Sequence, residues 1–348
     1  MSMIDMLARL AAPTVVHGAP FGYDLQALQA ALQARGKLGL YVARDDKMAA
    51  TAAKLASFHA PGMEVISLPG WDNLPYDRIS PSPAISAARC AALARLAQRT
   101  KEAPSCLVIT TASSLVQRVP PVATMRQSSF AVTTGGRVNQ DELSTYLSVN
   151  GYIRTSTVSE KGEYSIRGGK IDIFAPDGHE PVRLDLFGDE VETIKAFDPE
   201  TQLSTRTLKT VALAPVSEIL FRENTQSLFR ERYLETLGSP TGDPMYEAVR
   251  AEIRRQGVEG WLPLFHDHLE TLFDYIGEDA LIGMGYLASE AAAERQVQAR
   301  DYYDARLEAA GGDHQAKVLA PDALYLTETE LEETLSRFGV ARFSPSPL

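Results

Sequence analysis

The sequence contains little cysteine and no long apolar run. Cys90 and Cys106 are its two cysteines, and both lie in apolar stretches, ARCAAL and SCLVIT. Buried reduced thiols are typical of such surroundings, so we expect neither a disulfide nor a cysteine metal site. No apolar run approaches the roughly 20 residues that cross a bilayer, and the start of the chain includes Asp5 and Arg9, unlike a signal peptide. These absences predict a cytoplasmic protein that has no membrane partner.

Basic residues are also in deficit. The chain has 34 Lys and Arg against 45 Asp and Glu, which gives a net charge of -11. A protein that holds duplex DNA mainly by its phosphates needs a basic surface, so this balance argues against such a function. The overall acidic balance is still compatible with a local basic patch on the surface. An acidic balance favours solubility and a protein partner in the cytosol.

Length and hydrophobic patterning predict more than one domain. The chain of 348 residues exceeds the roughly 250–300 residues at which a single core stops growing. Leu25, Leu28 and Leu32 recur at helical spacing before the apolar strand candidate 38–43. The same alternation continues with helices predicted at 45–59 and 84–98 and strands at 63–69 and 106–111. It indicates a parallel sheet covered on both faces, the layout of a nucleotide-binding α/β domain.

The pattern changes near residue 128. A strand candidate and a helix ending at Gly151 precede a run of short strands, separated by turn residues, that reaches residue 212. Helices then return; we predict them at 222–237, 243–257, 286–310 and 328–337, with a buried strand in ALIGMGY. The prediction is an α/β domain interrupted by an insertion. Its parts are residues 1–127, an inserted α+β domain at 128–212, and a second α/β part with C-terminal helices at 213–348.

A complete phosphate-binding loop is missing. A working loop reads G-x-x-x-x-G-K-[ST]; its backbone amides hold phosphate, its Lys reaches the outer phosphates and its hydroxyl holds Mg²⁺. In HGAPFGYD, Gly18 and Gly22 are followed by Tyr23 and Asp24 in place of the Lys and the hydroxyl residue. Aspartate repels phosphate because both are anionic. A glycine turn entering a helix is therefore favoured over a nucleotide site.

Three segments resemble the bacterial transcription-repair coupling factors. LPGWDNLPYDRISPSP (68–83) and WLPLFHDHLETLFDYI (261–276) are similar to segments of that family, and residues 162–204, which contain RGGKIDIFAP, resemble a segment that the family shares with UvrB. UvrB keeps a complete phosphate loop and a long Tyr-rich hairpin, whereas residues 76–88 here are short and hold one tyrosine. The resemblance implies a degenerate RecA-like, helicase-like domain interrupted by an inserted domain, arranged as UvrB-like domains 1a, 2 and 1b.

The resemblance also implies a binding site in the inserted domain. In the family this domain binds UvrA, and the positions that carry the contact match Arg167, Arg183 and Phe187. Two arginines and an aromatic residue are typical of a protein-interface hot spot. From the residues alone, both this site and pairing of the arginines with their own acidic neighbours are open, and the pairing is favoured because surface arginines on acidic strands are common. The acidic neighbours available for such pairs include Asp172, Asp185 and Glu180.

Whole coupling factors act on stalled RNA polymerase and on DNA through downstream domains that use ATP and Mg²⁺. A C-terminal domain masks their UvrA surface until activation. Because the sequence reaches Leu348 without those segments, we interpret it as a fragment that binds UvrA constitutively, without ATPase activity and without a cofactor of its own. The alternatives are a UvrB-like, ATP-dependent, DNA-damage-binding helicase relative and a module that binds DNA directly.

The pair of histidines in His266-Asp267-His268 is the closest approach to a metal motif. Residues at i and i+2 of a helix point in different directions, so a shared ion would be poorly served. We therefore predict no metal site.

Overall fold

The structure, a computed structural model, describes residues 2–100, 102–311 and 317–347. The chain separates into two compact units. The first, called the parallel-sheet unit below, comprises the described parts of Met1–Asp77, Arg99–Val119 and Leu269–Leu348. The second, called the inserted unit, comprises Arg78–Gln98 and Pro120–His268.

Helices and strands alternate in the first third of the chain. They are α1 (Met3–Ala8), β1 (Thr14–Val16), α2 (Tyr23–Arg35), β2 (Leu38–Ala43), α3 (Asp46–His59), β3 (Glu64–Leu68), α4 (Pro83–Gln98), β4 (Cys106–Thr111) and α5 (Ala112–Leu115). The predicted helices and strands are confirmed to within a residue or so, whereas α1 and β1 were not predicted. Helix α2 ends as expected at Gly36, whose φ of 65° gives the left-handed cap that glycine adopts without strain.

The middle of the chain is mostly short strands. Its elements are α6 (Val122–Gln127), β5 (Phe130–Thr133), α7 (Gln140–Val149), β6 (Ile153–Arg154), β7 (Glu163–Arg167), β8 (Lys170–Ile173), β9 (Val182–Phe187), β10 (Glu190–Phe197), β11 (Ser204–Leu208) and β12 (Thr210–Leu213). The change in pattern near residue 128 therefore marks a real change in structure.

Helices return after residue 222 and are interspersed with two more strands. The elements are α8 (Glu223–Leu237), α9 (Pro244–Arg250), a 3₁₀ helix (Val258–Phe265), α10 (Leu272–Ile276), β13 (Leu281–Met284), α11 (Ala288–Ala309), α12 (Pro321–Leu324), α13 (Glu328–Leu335) and β14 (Gly339–Phe343). The helix predicted at 243–257 is wrong beyond Arg250, because Glu252 adopts a φ of 60°, which ends the helix. Strand β14 was not predicted. No described helix is long and apolar enough to cross a membrane.

The parallel-sheet unit is built on six strands in the order β1-β14-β13-β2-β4-β3, all paired in parallel. Strands β2, β4 and β13 are central, and nearly every residue in them is buried. Parallel strands covered on both faces need such continuous apolar runs. The sheet takes β4 and β13 from either side of a long insertion, which confirms the predicted α/β fold with an inserted domain.

The inserted unit contains a six-stranded sheet in the order β11-β10-β9-β8-β7-β6 and a separate pair, β5 with β12. Neighbouring strands from β7 to β11 are antiparallel. Alternate residues face a core that includes Ile171, Leu184 and Ile194 from the sheet and Leu143 and Leu147 from α7. The other face of each strand is consequently left for polar side chains.

The compact units do not coincide with the three segments that the sequence predicts. Residues 78–98 and 213–268 belong to the inserted unit. Within that unit, α8 and the 3₁₀ helix share a cluster of aromatic rings, in which Tyr233 stacks on Trp261 at 5.5 Å and Phe229 contacts Phe265 at 4.7 Å. This packing gives residues after 213 partners of their own within the unit.

Candidate functional sites: a closed phosphate-loop region and an exposed sheet face

The turn between β1 and α2 holds the residues of the incomplete phosphate loop. Gly18 and Gly22 have φ values of 67° and 94°, a region that favours glycine. Three residues separate them, one fewer than the four of the working motif. The loop therefore departs from the motif in length as well as in the residues that follow it.

Asp24 lies in the first turn of α2 and is 2% exposed. Its Oδ1 accepts hydrogen bonds from the backbone N–H of Gly22 at 2.8 Å and of Leu25 at 2.7 Å. Its Oδ2 accepts one from the hydroxyl of Tyr41 at 2.7 Å. Burial raises the pKa of Asp24, and the hydrogen bonds from Tyr41 and the backbone oppose that rise. The carboxylate therefore takes the place at a helix N-terminus where a phosphate would accept hydrogen bonds.

Three other amides of this turn bond to backbone carbonyls. Gly18 N–H donates to the carbonyl of Ser346 and Ala19 N–H to that of Ser344, both at 2.9 Å. Tyr23 N–H donates to the carbonyl of Pro20 at 3.1 Å. Because these donors are committed within the chain, an incoming phosphate would have to displace them.

The outward face of the inserted sheet carries the second candidate site. We call the set Arg167, Lys170, Arg183, Phe187 and Lys195 the basic-aromatic face. Arg183 and Phe187 alternate with buried or partly buried residues along β9, and Arg167 and Lys170 end β7 and begin β8. Strand register places Asp172 opposite Arg183, and Asp185 opposite Lys170.

The strands that carry Arg167 and Arg183, β7 and β9, do not pair with each other. Strand β8 lies between β7 and β9 and contributes Asp172. The Arg183 guanidinium donates two hydrogen bonds to the Asp172 carboxylate, at 2.6 and 2.8 Å, and Nη2 of Arg167 lies 3.5 Å from the same group. One buried carboxylate thus serves two arginines. The pairing with acidic neighbours that the sequence left open is therefore present in the fold.

Arg183 is held firmly in this arrangement. The hydrogen bond to Asp172 raises the pKa of Arg183, so the guanidinium stays charged. Its central carbon also lies 4.8 Å from the centre of the Phe197 ring, a cation–π contact. The side chain retains 21% of its surface in contact with solvent. Arg183 can therefore present charge to a partner in one orientation, at little entropic cost.

Phe187 is 77% exposed, near the turn where β9 passes into β10. Gly188, with a φ of 59°, begins that turn and lets the chain reverse directly after the aromatic residue. Asp189 follows and lies 3.8 Å from Arg137, an exposed ion pair. A large apolar side chain this exposed beside charged groups is typical of interface contacts rather than of sheet stability.

Two lysines extend the face on the other side of Asp185. The Nζ atoms of Lys170 and Lys195 lie 3.7 and 3.9 Å from its carboxylate, which also accepts a 2.9 Å hydrogen bond from the Thr193 hydroxyl. Lys195 was not predicted from the sequence as part of this face. Its alternation with core residues along β10 was visible, but the register that sets it opposite Arg183 was not.

The His266-Asp267-His268 segment does not lie on a helix, which corrects the sequence interpretation. His266 is the C-cap of the 3₁₀ helix and has an extended backbone, with a φ of -128°. Its Nε2 lies 3.2 Å from the carbonyl of Glu218, and burial lowers its pKa. Among the described residues, no group of three or more His, Cys, Asp or Glu side chains is placed to hold a metal ion.

Comparison with known proteins finds one matching family model and a set of related chains. Residues 130–219 match the family model of the UvrB interaction domain. The transcription-repair-coupling factor of Rickettsia bellii is 31% identical over 299 residues, which cover 85% of this chain and 26% of that protein. The corresponding protein of Escherichia coli K12 is 32% identical over 278 residues, covering 79% and 23%. That of Bacillus subtilis is 28% identical over 232 residues.

An α/β fold interrupted by a UvrB interaction domain defines a UvrB-like module. More specifically, the chain corresponds to the N-terminal UvrB-homology module of the transcription-repair-coupling factors, as its sequence motifs predict. It spans about a quarter of the length of the curated relatives that it matches.

Proposed function

We propose that this chain is the UvrA-recruiting adaptor module of a transcription-repair coupling factor in transcription-coupled nucleotide excision repair. The relatives are named transcription-repair-coupling factors, and the matching domain is named for interaction in the UvrB system. We further propose that contacts with RNA polymerase and DNA, and the use of ATP and Mg²⁺, belong to the parts of the relatives beyond the quarter that this chain matches.

The observation that carries this proposal is the exposed Phe187 on the same sheet face as Arg167 and Arg183. An aromatic anchor flanked by arginines has the composition of a protein-interface hot spot. Covering a phenylalanine side chain contributes roughly 1.5–3 kcal/mol. Arg183, already oriented by Asp172, loses little side-chain entropy when it meets a partner carboxylate.

The phosphate-loop region supports a module without ATPase activity of its own. Asp24 occupies the amides that a nucleotide phosphate would need, and Tyr23 stands where a lysine would reach the outer phosphates. This argues against the UvrB-like helicase alternative. Isothermal calorimetry with ATP and Mg²⁺ tests the point directly, and micromolar binding would contradict the proposal.

The adaptor function is tested by measuring UvrA binding by biolayer interferometry. We expect Phe187→Ala to weaken binding by about 2–4 kcal/mol, because it removes the anchor of the hot spot. Arg183→Ala should act in the same direction. Phe58→Ala is the matched control, since Phe58 is 79% exposed on α3, in the parallel-sheet unit.

Binding that is unchanged in Phe187→Ala and Arg183→Ala would contradict the assignment of the site. Equal losses in the Phe58→Ala control would show that the effect does not depend on the sheet face. A circular-dichroism melt of each variant separates lost binding from lost structure, and we expect melting temperatures close to that of the parent chain for Phe187→Ala.

A further inference from the structure

Two pairs of like charges lie directly opposite one another on the basic-aromatic face. Arg167 on β7 is the cross-strand partner of Lys170 on β8. Arg183 on β9 is the cross-strand partner of Lys195 on β10. Like charges directly opposite in an antiparallel sheet are destabilising, so both pairs lower the stability of this sheet.

A two-residue turn fixes the first of these pairs. Gly168 and Gly169 connect β7 to β8, and Gly168 has a φ of 60°. A Cβ added to Gly169 would lie 2.7 Å from the carbonyl oxygen of Leu186, so the backbone there approaches β9 closely. The turn therefore keeps Arg167 and Lys170 side by side rather than letting them separate.

The carboxylates within the face do not balance its cations. Asp172 is shared by two arginines and Asp185 by two lysines, so two carboxylates serve four cations. Exposure separates the charges further. The lysine side chains are 64% and 41% exposed, whereas those of Asp172 and Asp185 are 4% and 21% exposed. Solvent therefore meets the positive groups in preference to the negative ones.

We infer that Lys170 and Lys195 are specificity-determining residues of this face, and that its partner presents at least two carboxylates to them. The inference rests on the proposed function and adds the chemistry of the surface on UvrA that is recognised. A partner carboxylate near each lysine relieves the repulsion from the arginine opposite. Charges near the rim of an interface act mainly on the association rate, so these lysines accelerate encounter while Phe187 slows dissociation.

A nucleic acid fits this face less well than an acidic protein surface. Asp172 and Asp185 lie between the cations and would repel a closely tracking phosphate backbone. The chain as a whole carries a net charge of -11, which also opposes a polyanion. Individual carboxylates on a folded partner can instead bond to the lysines and avoid the two aspartates.

The experiment measures association and dissociation rates of the intact chain with UvrA by stopped-flow fluorescence at low and high salt. We expect the double variant Lys170→Glu/Lys195→Glu to associate at least about tenfold more slowly at low salt and to lose most of the salt dependence. Asp185→Asn should associate faster, because it removes a negative charge and keeps the oxygen that accepts from Thr193. The double variant Lys47→Glu/Lys54→Glu, the same charge change on α3, is the matched control.

The outcomes separate this inference from the proposed function. If the parent chain binds UvrA and Phe187→Ala weakens it, but both lysine double variants associate alike, the inference is overturned and the adaptor function stands. If the parent chain does not bind UvrA, both are overturned. If the chain alone shifts duplex DNA and the Lys170→Glu/Lys195→Glu variant does not, the partner is a nucleic acid and the inference is again wrong.

Discussion

The candidate sites of the parallel-sheet unit and the inserted unit differ in how far the chain's own carboxylates compensate their donors and cations. At the start of α2, the chain supplies its own carboxylate, Asp24, to amide donors that could otherwise hold an anion. On the inserted sheet, the chain supplies fewer carboxylates than its cations need, and Arg167, Lys170 and Lys195 remain in contact with solvent. The first region is compensated by the chain's own carboxylate, whereas the second retains exposed positive charge. Charged groups that the fold leaves uncompensated therefore indicate a candidate binding site.

The inserted unit also contains a buried ion pair, in which both charges are compensated within the chain as they are at Asp24. Arg89 on α4 is fully buried, and its Nε donates to Glu218 at 2.6 Å. We expect Glu218→Ala to lower the free energy of unfolding by about 3–5 kcal/mol, because it leaves the guanidinium buried without its carboxylate. Urea denaturation followed by circular dichroism measures the loss.

The control for this prediction is an exposed pair in the same unit. Arg206 lies 3.1 Å from Glu180, and both side chains contact solvent. Arg206→Ala should change the free energy of unfolding by less than about 1 kcal/mol. Comparable losses for Glu218→Ala and Arg206→Ala would mean that burial does not distinguish the two kinds of pair.

The Asp24 region gives the next largest effect. Asp24→Ala removes the acceptor for two backbone amides and the Tyr41 hydroxyl, and should cost about 1–3 kcal/mol of unfolding free energy. Asp24→Asn keeps one acceptor oxygen for the amides and should cost less. Thermal and urea denaturation of both variants test this ranking. Stability equal to that of the parent chain in Asp24→Ala would contradict the view that this carboxylate closes the turn.

The smallest predicted effect is a dependence of stability on pH. Burial lowers the pKa of His266 below its ordinary value of 6.5. Above pH 6.5 the imidazole is neutral in both states; as the pH falls below 6.5, the unfolded chain takes up the proton first, so stability is lost until the lowered folded pKa is passed. His266→Gln should remove that part of the loss. Urea denaturation at several pH values from 7.5 to 5 measures it.

The groups around His266 define how this pH experiment is controlled. Glu218 and Asp267 favour the protonated ring, whereas the nearby Arg232 opposes it, as burial does. His179, exposed in the inserted unit, is the matched position, and His179→Gln should leave the pH profile of stability unchanged. A profile that is equally steep in His266→Gln and the parent chain would exclude this ring as the cause.

Much of the fold could be predicted because its signals are local. The central strands are continuous apolar runs, and α2 shows helical spacing ending at Gly36. Strand β14 was missed because GVARF is short and is identified as a strand only by its distant partners, β1 and β13. The end of α9 was missed because nothing in the sequence marks Glu252 for a positive φ.

The basic-aromatic face shows more clearly that contacts between distant segments could not be predicted from the sequence. Motif resemblance selects Arg167, Arg183 and Phe187, and strand alternation places the last two on one face of β9. The contact between Arg183 and Asp172 depends on the register of β8 against β9, which the sequence of either strand does not specify. The assignment of these residues to UvrA binding stays a prediction that the variants above test.

The interrupted sheet has a consequence for how the chain is made. Strand β4 pairs with β2 and β3 early in the sequence, but β13 and β14 follow only after the whole insertion has been synthesised. Contacts between such distant segments form slowly. On the ribosome, the edge of β2 that pairs with β13 therefore stays unpaired while the inserted sheet emerges and can fold. Nascent chains paused before residue 281 should accordingly depend more on chaperones than the completed protein does.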